Sequence, residues 1–150
     1  MNASPKILIA EDEAHMRRFL RTTLTHNGYE TMEAVDGVQA LSMSAAPDVS
    51  LVLLDLGLPD VDGVEVVARI RELRDVPIII ISARHYEFAK IEALDCGAND
   101  YVTKPFGAGE LLARIRVALR TRGSAPARPA SVVVIGDLRI DLGDRNPAIC

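Results

Sequence analysis

The sequence predicts a doubly wound α/β fold built on a five-stranded parallel sheet. Short apolar segments alternate with segments of helical periodicity through the first 120 residues. The connections between them are short, as expected where a crossover helix joins each pair of parallel strands. The run Val49–Leu54 is apolar except for Ser50, which is typical of a central strand covered on both faces.

The first half of the chain is predicted to contain three strands and two helices. Asn27 and Gly28 end the first helix, because both residue types tolerate the left-handed backbone found there. Asp36 can cap the second helix, which ends before Pro47. The predicted elements are a strand over Lys6–Ala10, a helix over Ala14–His26, an edge strand over Tyr29–Ala34, the helix after Asp36 and the central strand Val49–Leu54.

The second half is predicted to contain two further strands and three helices. In chain order these are a helix over Val64–Leu73, a strand over Pro77–Ile81, a helix over Glu87–Asp95, a strand over Asp100–Thr103 and a helix over Gly109–Arg120. This alternation of strands and helices predicts the flavodoxin-like strand order 2-1-3-4-5. It places strands one and three side by side where the winding reverses, and ligands bind at that point of open α/β sheets.

Composition excludes several functional classes. The hydrophobic fraction of 49% and charged fraction of 25% are those of a globular domain. No apolar run approaches the ~20 residues of a membrane span, and no signal peptide is apparent, so we expect a cytoplasmic protein without membrane contact.

Residues 111–150 hold seven Arg against three Asp, whereas residues 1–110 carry a net charge of −8. A region with this net negative charge should not bind a nucleic acid backbone by itself.

Three regions are predicted along the chain. Residues 1–121 form the α/β body, residues 122–131 have the Gly, Ser, Ala, Pro and Arg composition of a linker, and residues 132–150 return to strand character. Two strands and a turn cannot bury a core alone.

Two cysteines, Cys96 and Cys150, are too few for a disulfide framework and are expected to be free thiols.

The carboxyl ends of the predicted strands carry a group of polar side chains. Strand one is followed by Glu11 and Asp12, strand three by Asp55, strand four by Ser82 and strand five by Lys104. Carboxylates crowded together raise one another's pKa values unless a cation joins them. Hard oxygen ligands with room for water suit Mg²⁺.

This group is chemically suited to phosphoryl transfer. Mg²⁺ and the ammonium of Lys104 would form a pocket for a dianionic phosphoryl group, and Ser82 would donate a hydrogen bond to it. Asp55, expected to face outward, would be the nucleophile that becomes an acyl phosphate. Singly, each residue is explained as well by a helix cap, a helix dipole or a solvated charge. Their common position favours the functional interpretation.

These residues carry a resemblance to a known family. Glu11-Asp12 after an apolar strand, Asp55-Leu-Gly-Leu-Pro-Asp-Val-Asp-Gly, Ser82-Ala and Asp100-Tyr-Val-Thr-Lys104-Pro-Phe resemble the CheY-like receiver domain of bacterial two-component response regulators, over roughly residues 5–121. The resemblance implies that Asp55 accepts a phosphoryl group from a sensor histidine kinase.

The resemblance also implies roles for the surrounding residues. Asp12, Asp55 and the carbonyl of Gly57 would bind Mg²⁺, with Glu11 reached through metal-bound water. Lys104 and Ser82 would bind the phosphoryl oxygens. On phosphorylation Ser82 would move toward the new group, and Tyr101 would turn from an exposed to a buried position. Such a domain catalyses its own phosphorylation and dephosphorylation and is otherwise no enzyme.

The last helices and strand resemble the OmpR/PhoB-type branch, whose members are transcription factors that dimerise through this face when phosphorylated. The implied face contains an apolar patch and two intersubunit ion pairs, Lys90–Glu110 and Asp100–Arg114. A third pair usual in the branch is absent, because Asn99 and Thr121 stand at its positions. The patch consists of Ile91, Leu94 and Ala113.

Within that branch, the closest resemblance is to regulators of high-affinity potassium-transport operons. It is carried by Arg-Arg-Phe-Leu-Arg-Thr at 17–22 and by the segments at 54–60, 82–84 and 104–111. Residues 132–150 resemble the first strands of the winged-helix domain through which this branch binds DNA. We expect that domain to be truncated here, so that this polypeptide does not itself read DNA bases.

Two alternative functions fit the sequence less well. A phosphatase with an aspartyl nucleophile would need a second acid two residues after Asp55, where this chain has Gly57. A flavin carrier would need a phosphate-binding loop after strand one, where three consecutive acids, 11–13, would repel phosphate.

Overall fold

The fold is a five-stranded parallel sheet with helices on both faces. The structure is a computed structural model that describes residues 4–83 and 87–124, with side chains outside the description at 87–88 and 121–124. The strands are β1 (Lys6–Ala10), β2 (Glu30–Ala34), β3 (Val49–Asp55), β4 (Ile78–Ser82) and β5 (Asp100–Thr103). The helices are α1 (Ala14–His26), α2 (Gly37–Ser44), α3 (Gly63–Leu73), α4 (Glu87–Asp95) and α5 (Ala108–Ser124).

The strand order is β2-β1-β3-β4-β5 with every pair parallel, as predicted. Successive residues of each strand point to opposite faces, so the consecutive isoleucines of β4 serve two cores. One core is covered by α1 and α5, with Leu20, Leu24, Leu111 and Ile115 inward. The other lies under α2, α3 and α4. The carboxyl ends of β1 and β3 therefore meet at the reversal point.

Several boundaries differ from the predictions. Asp55 is the last residue of β3 rather than the first residue after it. The edge strand begins at Glu30, one residue later than predicted. Helix α5 continues through Ser124, so residues 122–124 are helical where a linker was expected. The rest of the predicted linker and the tail, 125–150, lie outside the described residues.

Cys96 is buried at the end of α4 and is disulfide-bonded. The expectation of a free thiol is therefore wrong at this position. The second cysteine, Cys150, lies outside the described residues. None of the helices in the described part of the chain has the length and apolarity needed to cross a membrane.

Candidate functional site

Three carboxylates converge where β1 and β3 end. Glu11, Asp12 and Asp55 each place a carboxylate oxygen within 4.8 Å of the others. Glu11 and Asp55 are only 1% and 7% exposed, whereas Asp12 is exposed. The expectation that Asp55 faces outward is thus wrong, because Asp55 belongs to the strand itself and is buried there. All three oxygens are ligands of the hard type that Mg²⁺ prefers.

Lys104 joins this cluster from the end of β5. Its Nζ lies 2.9 Å from Oε1 of Glu11 and 3.8 Å from Oδ2 of Asp55. The backbone amide of Lys104 donates to the carbonyl oxygen of Ser82 at 2.7 Å, which holds the end of β5 against the end of β4. The ammonium is therefore paired with Glu11 and lies near Asp55 without a hydrogen bond to it. Ser82 itself is 1% exposed, at the last position of β4.

The environment of Glu11 shifts its titration. Burial of the side chain raises the pKa of Glu11, the hydrogen bond from Lys104 acts in the opposite direction, and the nearby Asp55 raises it again. The prediction that crowding raises a carboxylate pKa here is confirmed for Glu11, although burial is the larger cause. Both Glu11 oxygens are engaged, since Oε2 accepts the amide of Glu13 at 3.1 Å.

The loop after β3 is fixed from two directions. The amide of Gly57 donates to Oδ1 of Asp55 at 3.2 Å, and the amide of Gly63 donates to the carbonyl of Leu56 at 3.3 Å. A Cβ at Gly63 would lie 2.5 Å from the Leu56 Cα, so the loop closes only with glycine there. Asp60 accepts the amides of Gly37 and Val38 at the start of α2, at 2.7 and 3.1 Å.

Tyr101 on β5 is 6% exposed and packs in the core under α2, α3 and α4. The resemblance to receiver domains implies an exposed and a buried position of the Tyr101 ring, and the ring is in the buried position here. The structure shows one position of the ring, and the change between positions remains a prediction.

The predicted dimer residues lie together on the surface of α4, β5 and α5. Ile91 and Leu94 are 48% and 36% exposed, Lys90 is exposed and Ala113 is half-buried. Three of the four charged residues predicted to pair between subunits contact one another within the chain. Arg114 donates to both carboxylate oxygens of Asp100 at 2.9 Å and lies 3.3 Å from Glu110.

Sequence analysis missed two residues that support the site. Asp60 ties the loop after β3 to the start of α2, Arg17 contacts the backbone of the acidic residues after β1, and neither residue lies at a strand end. Arg17 donates to the carbonyl oxygens of Glu11 and Asp12 at 3.0 and 3.1 Å. The signal available in the sequence was the motif at 17–22, whose arginines had no assigned role.

Comparison with known proteins agrees with this geometry. Residues 7–116 match the family model described as the response regulator receiver domain. The KDP operon transcriptional regulatory protein KdpE of Escherichia coli is 49% identical over 139 residues. That alignment covers 93% of this chain and 61% of the relative, so this chain spans about three fifths of the length of that protein.

Solved structures of receiver domains share the fold. A CheY-like receiver domain protein from Methanospirillum hungatei matches with a TM-score of 0.78 at 25% identity, covering 81% of this chain and 98% of that one. The receiver domain of the sensor histidine kinase PA1611 from Pseudomonas aeruginosa, with a magnesium ion coordinated in its active site cleft, matches with a TM-score of 0.73 at 30% identity. That match covers 79% of this chain and 99% of the other. The sheet order, the acidic cluster with its lysine and the family match together show that this chain belongs to the response regulator receiver domain family.

Proposed function

We propose that Asp55 is the phosphoacceptor of this domain and that a sensor histidine kinase supplies the phosphoryl group. The observation that carries the proposal is the position of Asp55 at the end of the central strand. Its carboxylate lies close to those of Glu11 and Asp12 and to the ammonium of Lys104. An oxygen of Asp55 forms the bond to phosphorus as the bond from phosphorus to the histidine nitrogen breaks. The electron pair of that bond leaves with the imidazole, and Asp55 becomes an acyl phosphate.

The donor set fits a magnesium ion. In the described part of the chain, no hydrogen bond or ion pair engages the Asp12 carboxylate, and Asp55 accepts one hydrogen bond, from the Gly57 amide, with the Lys104 ammonium 3.8 Å away. These two carboxylates and the Gly57 carbonyl would hold the ion, which supplies positive charge for the phosphoryl oxygens. Since both oxygens of Glu11 already accept hydrogen bonds, we assign Glu11 an indirect role through metal-bound water.

Lys104 and Ser82 are proposed to bind the phosphoryl oxygens. The Nζ of Lys104 is close enough to Asp55 that a small rotation would bring it from Glu11 to a group attached there. Ser82 is one residue beyond Ile81, which pairs with Asp55 in the register of β3 and β4, so Ser82 ends the strand next to Asp55. The chemistry required of the protein is positioning and charge neutralisation, because the Asp55 nucleophile needs no general base when it is ionised.

The domain is proposed to act as a signalling switch within a longer transcriptional regulator. The similarity to KdpE favours control of potassium-transport genes through a DNA-binding domain. Phosphorylation is proposed to favour a homodimer through α4, β5 and α5, with Ser82 and Tyr101 as the switch residues. The exposed Ile91 and Leu94 support this choice of face.

Intact mass spectrometry after treatment with acetyl phosphate and Mg²⁺ tests the phosphoacceptor. The wild-type chain should gain one phosphoryl group, and Asp55→Asn should gain none. Asp62→Asn is the matched control, because Asp62 lies in the same loop and asparagine caps α3 equally well. A phosphoryl group on the Asp55→Asn chain would contradict the assignment. Sustained hydrolysis of phosphomonoesters by the wild type would favour the phosphatase alternative.

A further inference from the structure

Arg17 on α1 contacts the backbone of both acidic residues that follow β1. Its Nη1 donates to the carbonyl oxygens of Glu11 and Asp12, and its side chain is only 20% exposed. Neither contact touches a carboxylate of the cluster. The guanidinium therefore acts on the peptide groups that carry these side chains.

The guanidinium is itself held in place. Its Nε lies 3.4 Å from Oε1 of Glu33 on β2, and the other oxygen of Glu33 accepts a hydrogen bond from Arg21 at 2.8 Å. The amide of Glu11 donates to the carbonyl of Ala34, the residue after Glu33. Because the fork of an arginine is planar and rigid, these contacts fix the orientation of the acidic loop relative to α1 and β2.

We infer that Arg17 is a positioning residue for the cation site, a role that rests on the proposed function. The direction in which the exposed Asp12 side chain leaves the backbone depends on the peptide groups on either side of it. With both carbonyls held, its carboxylate is directed toward Asp55 before a cation arrives. Groups that orient metal ligands in this way typically change metal affinity by 10–100-fold when they are removed.

The direction of the effect separates positioning from simple charge. A positive side chain beside a cation site repels the cation, so removing its charge alone would strengthen Mg²⁺ binding. Loss of positioning weakens binding instead. Because Glu33 offsets part of the Arg17 charge, we expect positioning to dominate and Arg17→Ala to weaken Mg²⁺ binding about tenfold.

Titration calorimetry with Mg²⁺ on the full chain tests this role without any phosphorylation step. Arg21→Ala is the matched control, because Arg21 pairs with the same Glu33 but does not contact the acidic loop. Its Mg²⁺ affinity should equal that of the wild type or be slightly higher. Arg17→Lys keeps the charge but not the fork and should bind about as weakly as Arg17→Ala. Thermal melting without Mg²⁺ identifies the folded variants that enter the comparison.

Equal or tighter Mg²⁺ binding by Arg17→Ala would overturn the inference, as would wild-type affinity in Arg17→Lys or an equal loss in Arg21→Ala. The proposed function fails separately, if wild-type protein binds Mg²⁺ but takes up no phosphoryl group on Asp55. If the wild type binds no Mg²⁺, both fail together.

Discussion

Asp60 shows how a single carboxylate outside the acidic cluster can hold the loop that carries Gly57. It accepts two backbone amides of α2, and Gly37 allows the close approach, since a Cβ there would lie 2.8 Å from the Cβ of Val61. The hydrogen bond from Gly37, with a smaller one from Val38, lowers the pKa of Asp60 below its ordinary value of 3.8. The ionised form is thus favoured by folding.

We predict that Asp60→Asn lowers the free energy of unfolding at neutral pH. A carboxyl group whose pKa is lower in the folded than in the unfolded state contributes stability above its unfolded value, and this contribution is lost as the pH falls through the folded value. The difference between wild type and Asp60→Asn should therefore be constant near neutrality and shrink below pH 3.8. Urea unfolding at a series of pH values measures it, with Glu72→Gln on α3 as an exposed control. A difference that persists unchanged at low pH would contradict the prediction.

At the scale of elements, Arg71 joins the end of α3 to the starts of two strands. Its Nε donates to the carbonyl of Gly97 at 3.0 Å, its Nη1 donates to the carbonyl of Val76, and its Nη2 donates to the Asn99 side chain at 2.6 Å. The same Asn99 oxygen accepts the amide of Ile78 at 2.8 Å. Asn99, which removes an ion pair expected of the OmpR/PhoB branch, therefore has a structural role within the chain.

We predict that Arg71→Lys lowers the free energy of unfolding by about 2 kcal/mol, because lysine cannot reach three carbonyl groups at once and leaves partly buried acceptors without donors. Arg69 provides a control on the same helix. Among the described residues it pairs with the exposed Glu65 alone, so Arg69→Lys should change stability by less than about 0.5 kcal/mol. Urea unfolding of the two variants compares them. Equal losses would show that the Arg71 contacts contribute no more than a surface ion pair.

At the scale of the whole molecule, the proposed dimer face already carries ion pairs within the chain. Arg114 binds Asp100 and Glu110 of its own chain, so an intersubunit pair would replace these contacts rather than add to them. The hydrogen bonds that Arg114 donates to Asp100, and secondarily to Glu110, raise the pKa of Arg114, and the side chain stays charged. Exchange between equivalent ion pairs contributes little free energy, which leaves the apolar patch to stabilise the dimer.

We therefore predict that Ile91→Asp weakens the phosphorylated or beryllofluoride-bound dimer by at least about tenfold. Leu73→Asp is the matched control, since Leu73 is 61% exposed but lies on α3. Light scattering across a concentration series measures the association. A dimer of unchanged affinity in Ile91→Asp would place the interface elsewhere on the molecule.

Local patterns were enough to predict the strand order and the cluster at the strand ends. The alternation of strand and helix leaves few arrangements for a parallel sheet, and the carboxyl ends of its strands share one edge. The burial of Asp55 was not predictable, because the exposure of the last side chain of a strand depends on the tertiary packing around it. The pairing of Lys104 with Glu11, across 93 positions, depends on side-chain rotamers that no periodicity encodes.

The residues that support the site were missed for a related reason. Arg17 acts through hydrogen bonds to main-chain carbonyls, and such bonds impose no requirement on the sequence of the residues that accept them. The sequence predicts an end of α5 at Arg120 because the residues that follow, Gly123 among them, have the composition of a linker. A glycine costs a helix about 1 kcal/mol, which is not enough to end it.

The pairing of Lys104 with Glu11 sets a condition on anyone who wishes to engineer a permanently signalling variant. Three acids and one ammonium leave the resting centre with two surplus negative charges. Asp55→Glu lengthens the side chain but leaves the net charge of the site unchanged. Lys104 is therefore expected to stay paired with Glu11. A substitution that mimics phosphorylation must add negative charge near Lys104. An acyl phosphate adds that charge, whereas the extra methylene of glutamate does not.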